Sequence, residues 1–299
     1  MRFRISAYPK ITIIQMRTIE LPGGDHAVLA LHGLLGNPLE MLPVGKRLQR
    51  AGYTVHIPLI PGYGYASGQD TSYRTTRCEH WFDEVQHRFD LLKRNHASVS
   101  VVGLCIGAVL ALRLASERPD EVAALSVLAT TLAYDGWSIP FYRFLLPLAY
   151  YTPVRYLYSY KERFPFGIKN PKLQKWIARE MAVKTSSAAG ASRLSAEGIF
   201  QADRLIGQVR KSLDKVRCPT LIIHAAEDDV ATPKSADLVE RSIASTVIKK
   251  IILHDSYHII TLDNEKERVA AETVAFFDQS VRLVPAAIPT LLRDHHEYA

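Results

Sequence analysis

The sequence predicts an α/β protein with a mostly parallel central sheet, helices on both faces and an inserted helical cap. Three observations carry that prediction. Continuous apolar, β-branched runs alternate with helix-period segments, as in a parallel sheet covered on both faces. Glycine-framed turns close several of those runs. Between Thr131 and Phe200 the alternation gives way to a stretch crowded with aromatics and broken by Pro140, Pro147, Pro153 and Pro165, which exclude one long helix. A chain of 299 residues, 47% hydrophobic and 22% charged, has the material for one large domain with an insertion. The expected division is a core over 1–130 and 201–280, a cap over 131–200 and a tail over 281–299.

Taken in order, the region before Pro22 alternates like one or two strands, and "AVLALH" is a short buried strand ending at "HGLLGN". Apolar residues at helical spacing from Leu39 stop at Gly52, before the strand "YTVHIP". The loop "LIPGYGYASG" follows, then an amphipathic helix marked by Trp81, Val85, Phe89 and Leu92 that ends near His96. Strand "SVSVVGL", a helix to about Glu117 and strand "VAALSVLA" complete a repeated β-α-β pattern. After the cap come a helix through Leu205 and Val209, strand "PTLIIHA", helix "PKSADLVERSIA", strand "VIKKIIL" and a helix from Glu265 to Gln279. The tail "RLVPAAIPTLLRDHHEYA" reads as a frayed terminus.

Composition narrows the class. Cys78, Cys105 and Cys218 lie far apart and match no metal-ligand or redox spacing, which points to a reducing compartment. The N-terminus carries Arg2, Arg4, Lys10 and Arg17 and lacks the apolar core of a secretory signal, and no run reaches the roughly 18 apolar residues of a membrane span. A cytoplasmic location is therefore expected. The net charge of +7 fits a phosphorylated thioester carrier, an acidic carrier protein or a membrane surface, and equally an ordinary basic protein, and no nucleic-acid motif accompanies it.

The stretch "SVSVVGLCIGAVLALRLASERP" places Cys105 on a strand-to-helix turn. Such a turn needs small neighbours, supplied by Gly103 and Gly107, and the helix that follows points its free N–H groups at the side chain of residue 105. Further along, "HAAEDDVATP" puts Asp228 and Asp229 just past a strand, and "HDSYHIITLD" does the same for His258. Nucleophile, acid and histidine in that order suit acyl-transfer chemistry. His32 is read as orienting the loop after the "AVLAL" strand, Asp229 as facing solvent or capping a turn, and His254 with His258 as unsuited to zinc, so no metal is expected. The cap aromatics are read as roofing an apolar acyl pocket, and the cap cations, among them Arg155, Lys161, Arg163, Lys169, Lys172 and Lys175, as a solvated face.

These motifs resemble the α/β-hydrolase superfamily, and within it the capped bacterial carboxylesterases and monoacylglycerol-lipase-like enzymes. The likeness spans about 27–280 and rests on "HGLLGNPLEMLPVGKRLQRAGYTVHIPLIPGYG", "GLCIG", "EDDVATPKSA" and "YHIITLDNEKERV". It implies an α/β-hydrolase fold with Cys105 as nucleophile, His258 as general base, Asp228 as acid, and the backbone N–H groups of Leu34 (after Gly33) and Ile106 as the oxyanion hole. Cysteine departs from the group's usual serine and resembles instead the elbows of dienelactone hydrolases and poly(hydroxyalkanoate) synthases. It also reads as a replaced serine.

The expected function is thus an acyl hydrolase, carboxylesterase or thioesterase, cleaving an apolar acyl ester or thioester through a Cys-His-Asp triad and a covalent acyl-enzyme, without cofactor. Sulfur chemistry keeps a second reading open. A thiolate leaves more readily than an alkoxide and a thioester acyl-enzyme reacts well with acceptors, so transfer from a coenzyme A or carrier-protein thioester to an alcohol or amine is the alternative. A non-catalytic ligand-binding protein is the third.

Overall fold

Side chains alternating along each strand decide the layers. The computed structural model of the chain describes residues 18–64, 75–161, 164–184, 186–187, 190–191 and 193–282. Most of the segment before Pro22, the glycine-rich loop after Gly64, Arg163 and the tail beyond 282 lie outside the described residues. The elements are β1 (Ile19–Leu21), β2 (His26–Leu31), α1 (Leu42–Arg50), β3 (Thr54–Ile57), α2 (Cys78–Asn95), β4 (Ser98–Leu104), α3 (Ile106–Glu117) and β5 (Val122–Leu128). The inserted segment holds α4 (Leu146–Tyr150), α5 (Val154–Leu157), β6 (Ser159–Lys161), α6 (Pro171–Lys184), β7 (Ser186–Ser187), β8 (Gly190–Ala191) and β9 (Arg193–Ser195). The core resumes with α7 (Ala196–Val209), β10 (Thr220–Ala225), α8 (Lys234–Ser242), β11 (Ile248–Leu253) and α9 (Lys266–Arg282).

Seven strands form one sheet in the order β1-β3-β2-β4-β5-β10-β11. Only β1 runs antiparallel to its neighbour; the other pairs are parallel. Along β2, Ala27, Leu29 and Leu31 join the core beneath α2, α3 and α7, while Val28 and Ala30 face the opposite core under α1 and α9. Burial on both sides explains why these strands read as unbroken apolar runs. Helix α3 is apolar around almost its whole circumference because the sheet, α2 and α7 enclose it.

Parallel pairing brings the carboxyl ends of β2, β4, β5, β10 and β11 to one edge of the sheet, so the loops after those strands converge there. The inserted segment stands over that edge. It contains two small antiparallel pairs, β6–β9 and β7–β8, and the 14-residue α6 besides the short helices expected from its prolines. One face of α7 receives it. Arg143 and Tyr150 both bond Asp203, Arg155 pairs with Glu197 at 3.1 Å, and the Arg155 guanidinium lies over the Phe200 ring. The segment leaves Phe144, Leu148 and Tyr151 largely in solvent.

Phe277 on α9 is fully buried between helix and sheet, whereas Phe144 is 72% exposed. Phe277→Ala is expected to cost about 3–5 kcal/mol of unfolding free energy in urea titration. Phe144→Ala is expected to change it by no more than about 0.5 kcal/mol. A comparable loss in the two variants would contradict this division of the core.

Candidate active site

Cys105 stands between β4 and α3 with φ 58° and ψ −120°, a strained backbone for a residue with a Cβ. The packing around it shows why both flanking residues are glycine. A Cβ on Gly103 would lie 2.3 Å from the Gly107 carbonyl oxygen, and one on Gly107 would lie 2.4 Å from that of His32. The Cys105 N–H donates to the Leu128 carbonyl at 3.0 Å, tying the turn to β5. Its side chain is partly exposed and lies 3.4 Å, Sγ to Oγ1, from the buried Thr131.

Opposite the elbow, the Asp228 carboxylate faces His258 Nδ1 at 2.8 and 2.9 Å. The same carboxylate accepts the N–H groups of Val230 and Ala231, each at 2.9 Å, which fixes its rotamer independently of the histidine. Burial pushes the Asp228 carboxyl up, but the charge and hydrogen bond of His258, the charge of His224 and the backbone donors outweigh it and hold the group below the ordinary carboxylate range. For His258 burial disfavours the imidazolium; Asp228 and then Cys105 overcome this and raise its pKa well above that of an ordinary histidine. The other ring nitrogen, Nε2, is buried and has no hydrogen-bond partner among the described residues. The pair is therefore a polarised imidazole within electrostatic reach of residue 105.

The loop after β2 forms the other wall. His32 is fully buried; its Nδ1 lies 2.8 Å from the Gly33 carbonyl oxygen and the Tyr63 hydroxyl donates to its own carbonyl at 2.7 Å. Leu35, at φ 53°, donates its N–H to Tyr63. The N–H groups of Leu34 and Ile106 have no backbone acceptor in the turns and loops among the described residues. A cavity of about 510 Å³ connects these parts. Gly33, Leu34, Cys105 and His258 form part of its wall, and inserted-segment residues such as Phe141 and Phe164 line the rest.

Three residues at this site escape sequence reasoning, and a fourth is corrected. Thr131 belongs to an unremarkable "ATTLA". Glu40 lines the cavity and accepts the Gly33 N–H at 2.9 Å; "NPLE" announces only a helix start, which Asn37 indeed caps. Asp263 ends the quoted "HIITLD" and accepts the N–H groups of Tyr257, Lys169 and Asn170, binding the histidine loop to the inserted segment. Asp229 does not face solvent: it is buried, its carboxyl accepts the His258 N–H at 3.2 Å, and burial raises its pKa. Among the cap cations, Arg155 and Lys169 are paired with Glu197 and Glu227.

His32 supplies a stability test. Burial, opposed only by the contact with Gly33, lowers its pKa from 6.5 to about 4. Between those values the unfolded chain takes up a proton that the folded chain refuses, so stability falls as pH drops from 6.5 to 4, by about 3 kcal/mol in all. Above 6.5 the contribution is complete. Urea titrations at pH 7 and pH 5 should show a smaller difference for His32→Gln than for the wild type; an undiminished difference would refute the assignment.

Comparison with known proteins gives this geometry its lineage. Residues 24–267 match the family described as serine aminopeptidase, S33. A thermostable monoacylglycerol lipase of Bacillus sp. (strain H-257) is 30% identical over 254 residues, covering 85% of this chain and 91% of that protein. A carboxylesterase of Bacillus subtilis (strain 168) is 25% identical over 273 residues, covering 89% and 98%. Among solved structures, one from a study of the metagenome-derived lipolytic enzymes LipS and LipT superposes with a TM-score of 0.75 at 22% identity, covering 89% of this chain and 99% of that one. These relationships correct the expectation of a cysteine-nucleophile enzyme working through a Cys-His-Asp triad, and with it the acyl-transfer alternative built on sulfur. The family is one of serine enzymes. The physical reason is that the elbow constrains the backbone and its neighbours, and nothing in Gly103, Gly107 or the Asp228–His258 pair selects sulfur over oxygen. A non-catalytic protein is likewise set aside. The chain is an enzyme of the α/β-hydrolase fold and belongs to the S33 serine aminopeptidase family.

Proposed function

We propose that the protein hydrolyses esters of apolar acyl groups by the serine-hydrolase chemistry of its family, with residue 105 as the reacting position. The observation that carries this reading is the Asp228–His258 pair, whose histidine lines the same cavity as Cys105. Monoacylglycerol lipase and carboxylesterase relatives support the same substrate class.

In that chemistry, with serine at position 105 as in the family, the hydroxyl would give its proton to His258 Nε2 as its oxygen bonds to the ester carbonyl carbon, and the carbonyl electrons would move onto oxygen. Leu34 and Ile106 N–H groups receive this oxyanion. Collapse breaks the bond to the alcohol, which leaves with the proton from His258. Water then repeats the sequence on the acyl-enzyme, releasing the acid and returning the proton to the serine oxygen. Asp228 keeps Nδ1 protonated so that Nε2 can act as base, and stabilises the imidazolium between the two transfers.

An uncharged ester suits the entrance better than a coenzyme A or carrier-protein thioester. Arg143, which lines the cavity, and Arg155 on the inserted segment are already occupied by Asp203 and Glu197. Cysteine fills the serine's place in this chain, and Cys105→Ser supplies the hydroxyl that the family uses.

The test is turnover of 4-nitrophenyl esters from acetate to decanoate by the wild type, Cys105→Ser and Cys105→Ala. Cys105→Ser is expected to exceed the wild type in kcat/KM by about tenfold, and Cys105→Ala to be inactive. Each added CH2 up to medium length is expected to raise kcat/KM by about two- to fourfold through apolar burial. Cys105→Ser no better than Cys105→Ala would overturn the reading.

A further inference from the structure

The turn that carries Leu34 is folded around a carboxylate. Glu40 is only 3% exposed, and its Oε2 accepts the Gly33 N–H at 2.9 Å. A Cβ on Gly36 would lie 2.3 and 2.4 Å from its two oxygens, and one on Gly33 would lie 3.2 Å from Oε2 and 3.5 Å from Cys105 Cβ. Both glycines are therefore wrapped onto the glutamate, and Gly33 lies between it and the elbow. The base of the side chain is fixed as well: Asn37 caps the short 3-10 turn Pro38–Glu40 by accepting the Leu39 N–H at 3.0 Å. Across the turn, the Gly36 N–H closes onto the Gly33 carbonyl at 3.0 Å, and Leu35 is tied to Tyr63.

A buried carboxylate is an unfavourable neighbour for an oxyanion, because like charges repel strongly where water is excluded. Its position is intelligible if it holds the oxyanion donor. The Gly33 N–H belongs to the peptide immediately before the one that bears the Leu34 N–H, so fixing the first restricts the second to the orientation facing the cavity. We propose that Glu40 is a positioning residue for the oxyanion hole, acting through Gly33 on the Leu34 N–H. This rests on the ester-hydrolysis reading above. What Glu40 contributes is a hydrogen-bond acceptor in a fixed place; its charge is dispensable.

That distinction separates Glu40→Gln, which keeps an acceptor oxygen, from Glu40→Ala, which does not. Two readouts are taken on the full chain: kcat and KM for a 4-nitrophenyl ester, and hydrogen exchange of the Gly33 amide by NMR. Glu40→Ala is expected to exchange Gly33 at least about tenfold faster and to lose at least about tenfold in kcat, with KM within about twofold. Glu40→Gln is expected to keep the protection and to stay within about threefold of the wild-type kcat. Unchanged exchange and kcat in Glu40→Ala, or an equal loss in both variants, would overturn the proposal. If Glu40→Ala does not fold, loss of Gly33 protection in Glu40→Gln overturns it and retention supports it. If the wild type cleaves no ester, the hydrolysis reading fails by itself, and the Gly33 exchange rates alone decide whether Glu40 holds the turn.

Discussion

The site depends on one backbone constraint, the left-handed conformation of residue 105. Holding a non-glycine residue at φ 58° is costly, and the chain sustains it because β4, α3 and the end of β2 pack without room for a side chain at Gly103 or Gly107. The close approach to the carbonyls of Leu31 and His32 has a second effect. It sets the loop after β2 beside the start of α3, so that a Cβ on Gly33 would lie 3.5 Å from the Cys105 Cβ.

Around that elbow the polar groups form two rigid arms that do not share their anchors. On one arm, Val230 and Ala231 fix Asp228, Asp228 orients His258, and Asp229 holds the His258 backbone. On the other, Tyr63 and Glu40 hold the loop from His32 to Gly36. Every buried carboxylate in these arms receives backbone N–H groups, which is how the fold tolerates their desolvation. Asp263 then joins the histidine arm to the inserted segment that roofs the cavity, so the roof and the base are positioned together.

Much of this was legible in the sequence, for physical reasons that differ by element. Strands β4, β5 and β10 could be read to within a residue because burial on both faces demands unbroken apolar runs, and the partly buried edge strand β11 could be read as closely despite its two lysines. Glycines around Cys105 were legible because steric exclusion leaves a mark in residue type. His258 and the Asp228–Asp229 pair followed from their place after strands, and the resemblance to the family chose Asp228 between the two carboxylates. The sequence set Asp229 aside as the acid but placed it toward solvent; only the fold shows that it is buried and holds the backbone behind the imidazole. Glu40 and Thr131 left no pattern because their partners, Gly33 and Cys105, meet them through a folded turn and a neighbouring strand end. The residue at 105 misled most: sulfur suggested a chemistry, whereas the geometry around it is indifferent to the choice and the family uses serine.

The central claim is that Asp228 polarises His258 toward the elbow, and an NMR titration of the His258 imidazole in the wild type and Asp228→Asn tests it most directly. In the wild type the ring should keep its proton to a pH well above that of an ordinary histidine, since Asp228 and then Cys105 outweigh burial. Without that charge, burial dominates and the midpoint should fall by about one pH unit or more. A midpoint that does not move when Asp228 loses its charge would contradict the account.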